Sequence, residues 1–264
     1  MSASAAPVVY LDCVDSTNSY AIRHCDDLPC GALVVADRQT RGRGRRGRAW
    51  HSPAGANFYG SLVCTPGHDG IDPGLVPQLG AVIALACVRQ AGVAESWIKW
   101  PNDILAGDRK LAGILVEACS RSDGTEVVVL GIGVNLNLSA QALREIPTPA
   151  TSVAVESGRA TPPRAFADEL RSAALAWYDR LRDGAGPVLH RAWLDGSSPL
   201  IGQGVRLQTP VETVAGTVAA LEADGALTLT LADGTSQTFH AGDVSLRPAA
   251  VPPSDGGSAV GRGG

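Results

Sequence analysis

Hydrophobic residues follow two different periods along the chain, and these periods predict both strands and helices. Short runs with strand-like composition cover residues 8–14, 32–36, 57–64 and 125–130. Longer segments at 73–92 and 162–182 carry apolar residues three or four positions apart. That spacing is typical of helices with one face toward a core. The chain is therefore predicted to contain at least one sheet covered by helices.

The pattern changes after Ser197-Ser198-Pro199. Residues 204–247 hold short alternating runs, with turns expected at Asp224-Gly225 and Asp233-Gly234. Short alternating runs separated by turns predict a small antiparallel β-barrel. We therefore divide the chain into a flexible arm at 1–7, a main domain at 8–198, a small domain at 199–248 and a tail at 249–264. The tail is rich in Pro, Gly and Ser and is expected to be disordered.

Composition narrows the class of protein. The 264 residues carry a formal net charge of −4 at pH 7, whereas a dedicated nucleic-acid-binding protein is normally basic overall. The longest apolar run, near residues 81–88, is too short to cross a bilayer, and no signal-peptide pattern opens the chain. The six cysteines show no C-x-x-C pair and are expected to be free thiols. These features predict a cytoplasmic protein without a membrane partner.

The segment with the most unusual composition is residues 41–48, the arginine loop, which contains five arginines and three glycines between two predicted strands. The run 42–47 formally matches the G-x-G-x-x-G dinucleotide fingerprint. That fingerprint needs a helix directly after it and an acidic residue about 20 positions on. Residues 50–53 (Trp-His-Ser-Pro) follow instead, and no acidic residue occurs between Arg38 and Asp69. The dinucleotide interpretation is therefore disfavoured.

Two interpretations of the arginine loop stay open from its composition. It is either a solvated basic loop that contacts nucleic acid, or a loop that closes over a small anion. In the second case we expect the loop to be mobile until an anionic ligand supplies partners for its charges, because ordering a chain segment costs conformational entropy.

Other candidate residues stand at the ends of predicted strands. Residues 15–18 (Asp-Ser-Thr-Asn) follow the first strand and offer caps for a helix. Asn102 and Asp103 follow a proline that breaks another strand. Lys110 is one of only two lysines in the chain. The glycines of Gly131-Ile132-Gly133 are typical of a tight turn.

Taken in order, six motifs resemble those of the biotin–protein ligase family. They are Asp-Ser-Thr-Asn (15–18), Gln39 with Gly-Arg-Gly-Arg-Arg-Gly-Arg (42–48) and Trp50, Ser-Pro-Ala-Gly-Ala-Asn (52–57), Lys-Trp-Pro-Asn-Asp-Ile (99–104), Lys-Leu-Ala-Gly-Ile-Leu-Val-Glu (110–117) and Gly-Ile-Gly-Val-Asn (131–135). The resemblance implies an α+β fold, with a mixed-sheet catalytic domain of the biotin/lipoate ligase type and a small C-terminal SH3-like β-barrel. Because only 14 residues precede Asp15, the chain resembles the enzyme-only form without an N-terminal DNA-binding domain. DNA is therefore not an expected partner.

The resemblance implies a reaction in two steps. Biotin and MgATP give biotinyl-5′-AMP and pyrophosphate, and the biotinyl group then passes to a lysine of a biotin carboxyl carrier protein, a subunit of acetyl-CoA carboxylase. The nucleophile of the first step is a carboxylate that is already ionised at pH 7, so no general base is needed. The step requires cations that neutralise the charge growing on the α-phosphate. We expect a monomer or a homodimer.

The resemblance also assigns roles to single residues. Ser16, Thr17, Asn18 and Gln39 are expected at the biotin head group, and Arg43, Gly44 and Arg45 at the biotin carboxylate and the phosphate. Lys110 is expected beside the acyl-phosphate link, and Lys110 and Arg45 are the candidate catalytic residues. Trp50, Asn102 and Asn135 are expected at the ATP site, and Asp103 is a candidate ligand of Mg²⁺.

Two alternative functions stay open. Lipoate–protein ligases are similar to the biotin–protein ligase family in catalytic fold and also use an adenylate intermediate. The dense arginines and the Lys-Trp-Pro-Asn-Asp run of this chain favour biotin. A non-enzymatic nucleic-acid-binding module would use the arginine loop alone, and its binding would fall steeply with salt.

Overall fold

The computed structural model describes residues 6–245 of the chain. The predicted arm at 1–7 is therefore described only at Ala6 and Pro7. The predicted disordered tail at 249–264 lies outside the described residues.

A seven-stranded mixed sheet forms the larger part of the fold. Its strands are β1 (Val8–Val14), β2 (Leu33–Gln39), β3 (Phe58–Cys64), β4 (Ser96–Lys99), β5 (Asp103–Ala106), β6 (Arg109–Ser120) and β7 (Glu126–Val134), in the spatial order β1-β2-β3-β7-β6-β5-β4. The β1–β2 pair is parallel, and the other neighbouring pairs of this sheet are antiparallel. The mixed sheet that the resemblance implied is confirmed.

Helices cover both faces of the sheet. On one face lie α2 (Val76–Gln90), α5 (Pro163–Arg182) and α6 (Gly186–Ser197), and on the other lies α1 (Thr17–Arg23). Two short helices, α3 (Ala140–Leu143) and α4 (Val153–Ser157), follow β7. Within residues 6–245, no helix combines the length and the apolar character needed to cross a membrane.

Burial on both faces explains the apolar runs of the central strands. Leu33 and Val35 of β2 pack in the core under α2 and α5, whereas Val34 between them packs in the smaller core under α1. Successive side chains of a strand point to opposite faces, so a strand covered on both sides needs apolar residues at every position. This is why the sequence shows continuous runs where a half-exposed sheet would alternate.

A second, antiparallel sheet follows the helices. Its strands are β8 (Gly204–Gln208), β9 (Thr213–Leu221), β10 (Leu227–Thr230), β11 (Ser236–Phe239) and β12 (Asp243–Ser245), in the order β11-β10-β9-β8-β12. Within the described residues β11 and β12 are edge strands, so the closed barrel expected from the sequence is not confirmed. The indole N–H of Trp100 donates to the carbonyl of Gly225 at 2.8 Å and ties this sheet to the larger one. Strand β12 of this sheet lies beside the arginine loop, because Asp243 pairs with Arg46 and Arg48.

Candidate active site

A single cavity of about 910 Å³ gathers the candidate residues at one end of the larger sheet. Every residue that the sequence analysis assigned to the site lines it: Ser16, Thr17, Asn18, Gln39, Arg43, Gly44, Arg45, Trp50, Asn102, Asp103, Lys110 and Asn135. They come from the start of α1, the end of β2, the arginine loop and the residues just after it, and the neighbourhood of strands β5 to β7, with β12 of the small sheet closing one side. The cavity has a neutral polar wall and a charged wall.

The neutral wall is formed by Ser16, Thr17, Asn18 and Gln39. Together with Ser61, a buried residue that contacts Thr17 and Asn18, we call them the polar cradle. Ser16 caps α1, and its hydroxyl accepts from the backbone N–H of Ser19. The backbone N–H of Thr17 donates to Gln39 Oε1 at 2.9 Å. Ser61 Oγ donates to Asn18 Oδ1 at 2.5 Å and lies 2.8 Å from Thr17 Oγ1. Four of these residues are at most 4% exposed, so hydrogen bonds orient them before any ligand arrives.

Glycines in β6 and β7 make room for the side chains of the site. A Cβ at Gly131 would collide with Asn18 Oδ1, and one at Gly133 would lie 2.7 Å from Nε1 of Trp50. Gly113 faces the same Trp50 ring and Lys110. The tight turn expected at Gly131 and Gly133 is wrong, because both glycines lie inside β7. Their function is to leave space above the sheet rather than to turn the chain.

The charged wall is the arginine loop, which closes through a bridge between Arg43 and Ala49 and a short 3₁₀ turn at Arg45–Gly47. Asp243 of β12 lies 2.5 Å from Arg48, 3.3 Å from Arg46 and 3.9 Å from Arg45. At the other end of the loop, Arg43 pairs with Glu117 at 2.7 Å. The expectation that only a ligand supplies partners for these charges is therefore wrong, because two carboxylates of the chain already face the loop.

Arg45 is the most enclosed arginine of the loop. Its guanidinium donates to Asn102 Oδ1 at 3.3 Å and to the carbonyl of Gly242 at 3.4 Å. Burial lowers the pKa of Arg45, and the nearby Asp243 opposes that shift. An arginine remains charged under these conditions. Arg45 therefore places a desolvated positive charge at the cavity wall, where its interaction with an anion is strengthened.

Two lysines, Lys99 on β4 and Lys110 on β6, flank the carboxylate of Asp103 on β5. Lys110 Nζ lies 2.6 Å from Asp103 Oδ1 and 5.2 Å from the centre of a Trp50 ring. Lys99 stands opposite Asp103 in the β4–β5 ladder, and burial lowers its pKa. Within residues 6–245, no group of three or more His, Cys, Asp or Glu side chains is arranged to hold a metal ion. Asp103 therefore offers a single carboxylate, shared with Lys110.

Trp50 and Asn135, two of the residues expected at the ATP site, differ in their hydrogen bonding. The indole N–H of Trp50 is buried and has no hydrogen-bond partner among residues 6–245, so the cavity wall carries an unused donor. The amide of Asn135 donates to the carbonyl of Thr151 at 3.0 Å. The backbone N–H of Lys110 donates to the carbonyl of Pro149 at 2.9 Å. Asn135 thus helps to hold a chain segment beside Lys110.

Several residues of the cavity were missed in the sequence analysis. They are Lys99, residues 145–150 and residues 243–245, and Ser61, which is buried and contacts Asn18 of the cavity wall, was missed as well. Ser61 carried a usable signal, because it is a polar residue in the middle of a strand buried throughout. Lys99 is the first residue of the Lys-Trp-Pro-Asn-Asp-Ile motif (99–104), but no function was predicted for it. The other two segments carry no local signal, since their place at the site depends on how distant parts of the chain pack.

Comparison with known families and proteins agrees with this arrangement. The biotin/lipoate A/B protein ligase family matches residues 10–135, and the biotin protein ligase C terminal domain matches residues 200–247. The biotin–[acetyl-CoA-carboxylase] ligase of Paracoccus denitrificans is 37% identical over 81% of this chain and 90% of its own length. The bifunctional ligase/repressor BirA of Escherichia coli is 31% identical over 92% of this chain and 74% of its own length.

Solved structures share the fold. The biotin protein ligase of Aquifex aeolicus in complex with biotin and ATP superposes with a TM-score of 0.75 at 23% identity, covering 92% of this chain and 99% of that one. The biotin protein ligase of Leishmania major in complex with biotinyl-5-AMP superposes with a TM-score of 0.59 at 25% identity, covering 89% and 99%.

Proposed function

The chain belongs to the biotin protein ligase family, and on this premise we propose that it joins biotin to a carrier protein in two steps, of which the first consumes ATP. The carboxylate of biotin attacks the α-phosphorus of ATP and displaces pyrophosphate, which leaves biotinyl-5′-AMP. The amine of a lysine on a biotin carboxyl carrier protein then attacks the acyl carbon, loses a proton and displaces AMP. The observation that carries this proposal is the cavity itself, with a neutral polar cradle opposite a wall of fixed cations.

The polar cradle suits the head group of biotin better than that of lipoate. The ureido ring of biotin presents two N–H donors and one carbonyl acceptor. The cradle offers donors and acceptors of both kinds from buried side chains, and such groups cost free energy when they remain unpaired. The dithiolane ring of lipoate would satisfy none of them. We therefore assign Ser16, Thr17, Asn18 and Gln39 to the biotin head group.

The charged wall suits the reacting end of the substrates. We propose that Arg43 and Arg45, with the backbone at Gly44, face the biotin carboxylate and the α-phosphate. Lys110 lies close enough to the same region, through its contacts with Asp103 and Trp50, to stabilise the charge that develops in both steps. Preorganised cations of this kind lower the barrier because they need no rearrangement as the charge forms.

The remaining assignments concern ATP. We propose that Trp50, with its unused indole N–H, and Asn135 border the adenine, and that Asn102 lies near the phosphates. Mg²⁺ is commonly held by one or two carboxylates together with substrate phosphates. Asp103 fits that pattern as a single protein carboxylate, and the ion would neutralise phosphate charge there. We further propose that residues 8–198 form the catalytic domain and that 199–248 form an SH3-like small domain.

The test is a biotin-dependent exchange of labelled pyrophosphate into ATP, with lipoate measured in parallel. Exchange with biotin and none with lipoate is expected. Exchange with lipoate alone would replace the proposal with lipoate ligation. If neither acid supports exchange while the protein binds a nucleic acid with a steep salt dependence, the arginine loop serves nucleic-acid binding instead.

A further inference from the structure

We propose that Glu117 is a positioning residue that fixes Asn18 and Arg43, one from each wall of the cavity. The inference rests on the proposed function and deepens it, because it names a residue that prepares the biotin subsite from outside. Glu117 itself does not line the cavity, whereas Asn18 and Arg43 do. Any effect of Glu117 on biotin therefore passes through these two neighbours.

The contact geometry joins the two walls at a single oxygen atom. Glu117 Oε2 accepts a hydrogen bond from Asn18 Nδ2 at 2.9 Å and another from Arg43 at 2.7 Å. Glu117 stands inside β6, where its backbone is paired with Val129 of β7. The carboxylate is thus held by the ladder of the sheet, while both of its partners lie outside the sheet.

Glu117 helps to fix how Asn18 presents its amide. A carboxylate accepts hydrogen bonds only, so the Nδ2 end of Asn18 must face Glu117. The carbonyl of Leu115 accepts from the same Nδ2 at 3.1 Å and favours the same orientation. The Oδ1 end then faces Ser61, which donates to it at 2.5 Å. Glu117 adds a charged acceptor to the neutral one, so its loss should loosen the amide of Asn18 without releasing it completely.

Glu117 also decides where the side chain of Arg43 rests. This ion pair supplies the one side-chain hydrogen bond of Arg43 that the structure shows within residues 6–245. A guanidinium carries five N–H donors in a rigid plane. When Glu117 holds one nitrogen, the plane is oriented and the other donors remain available to a carboxylate in the cavity. Without Glu117, Arg43 would have to be ordered by the ligand alone.

Two substitutions separate the two contacts. In Glu117→Gln the side-chain carbonyl still accepts from Asn18, but the charge that holds Arg43 is lost. In Glu117→Ala both contacts are lost. Biotin binding measured by titration calorimetry should weaken about fivefold in Glu117→Gln and about thirtyfold in Glu117→Ala, as expected for one weakened and two lost hydrogen bonds. KM for ATP should change less than the biotin affinity, because Asn18 lies at the biotin end and only Arg43 is also proposed to face the α-phosphate.

A coupling measurement distinguishes positioning from general support of the fold. The effects of Asn18→Ala and Arg43→Ala on biotin affinity should be non-additive in the wild type and additive in the Glu117→Ala background. Glu126→Gln, an exposed glutamate in the same strand pair, is the matched control and should change nothing. Thermal unfolding identifies any variant that is simply misfolded.

The possible failures are distinguishable. Wild-type biotin affinity in a folded Glu117→Ala variant, or coupling that persists in its background, would overturn the role of Glu117 and leave the proposed function intact. A wild-type protein that binds no biotin would overturn the proposed function, and the inference with it.

Discussion

The two walls of the cavity are organised by different physical means. The polar cradle is neutral and almost fully buried, and short hydrogen bonds hold it between α1, β2 and β3. The arginine loop is charged and more exposed, and ion pairs hold it to Glu117 and Asp243. The side chain of Arg48 is 65% exposed, whereas Ser61 is fully buried. One wall is thus held by the sheet and the other by charges from elsewhere in the chain.

This difference has consequences for the proposed chemistry. Buried hydrogen bonds between neutral groups respond weakly to ionic strength, whereas exposed ion pairs are screened by salt. A wall fixed by the sheet can recognise a head group with little rearrangement. A wall held by ion pairs depends instead on its counter-charges, so Asp243 and Glu117 are expected to keep the arginine loop in place at the cavity.

The largest effect is expected at Lys110, which lies in the cavity beside Asp103 and Trp50. Lys110→Ala should fold but lose about 100- to 1,000-fold in the rate of both half-reactions, because one cation is proposed to serve both transition states. The substitution also leaves Asp103 without its partner. The measurement is single-turnover formation of biotinyl-5′-AMP, followed by transfer from preformed biotinyl-5′-AMP to carrier protein. Lys110→Arg, which keeps the charge, is the control. An unchanged rate of adenylate formation would remove Lys110 from the mechanism.

The next effect concerns retention of the intermediate by the charged wall. Arg45→Gly should still form biotinyl-5′-AMP at reduced efficiency, because the polar cradle and Lys110 remain. Loss of a charge-assisted contact of about 1.5–3 kcal/mol should weaken retention roughly 10- to 150-fold. The released mixed anhydride would then acylate exposed lysines of an unrelated protein, which a blot for biotin detects. If the variant makes adenylate and the unrelated protein carries no more biotin than it does with wild type, Arg45 does not retain the intermediate.

A cradle variant tests the neutral wall. Ser61→Ala removes a buried hydroxyl that contacts Asn18 and Thr17. Leaving a buried polar group unpaired costs about 1–3 kcal/mol, so biotin affinity should fall roughly 5- to 150-fold with little change in KM for ATP. This loss should be nearly the same at low and high salt. A loss that disappears at high salt would mean that the cradle acts through the charged wall.

The smallest effect is expected at Asp243. Exposed ion pairs contribute about 0.2–1 kcal/mol each, so Asp243→Asn should raise the release rate of biotinyl-5′-AMP about 3- to 10-fold. High salt should raise the release rate of the wild type and reduce its difference from the variant. Asp195→Asn breaks an exposed pair with Arg191 on α6 and serves as the control. Equal salt dependence of wild type and Asp243→Asn would show that this carboxylate does not hold the loop.

Local motifs predicted much of the fold and of the site. The continuous apolar runs predicted β2 and β3 because burial on both faces requires them. The cap candidates at residues 15–18 predicted the start of α1, since capping depends on neighbouring residues alone, and the structure identifies Ser16 as the cap. Gly131 and Gly133 were assigned to a turn because a sequence shows that a side chain is absent but not what fills its space.

The sequence by itself determined the family, the two kinds of sheet and the residues of the cavity that belong to its motifs, because each of these is carried by runs of neighbouring positions. Only the tertiary structure decided which charges oppose one another. Arg48 and Asp243 are 195 positions apart, and Arg43 and Glu117 are 74 apart. Ion pairs depend on distances across the fold, and no local period or motif records those distances. For this reason the arginine loop was expected to lack counter-charges until a ligand bound, whereas the packed chain itself provides them.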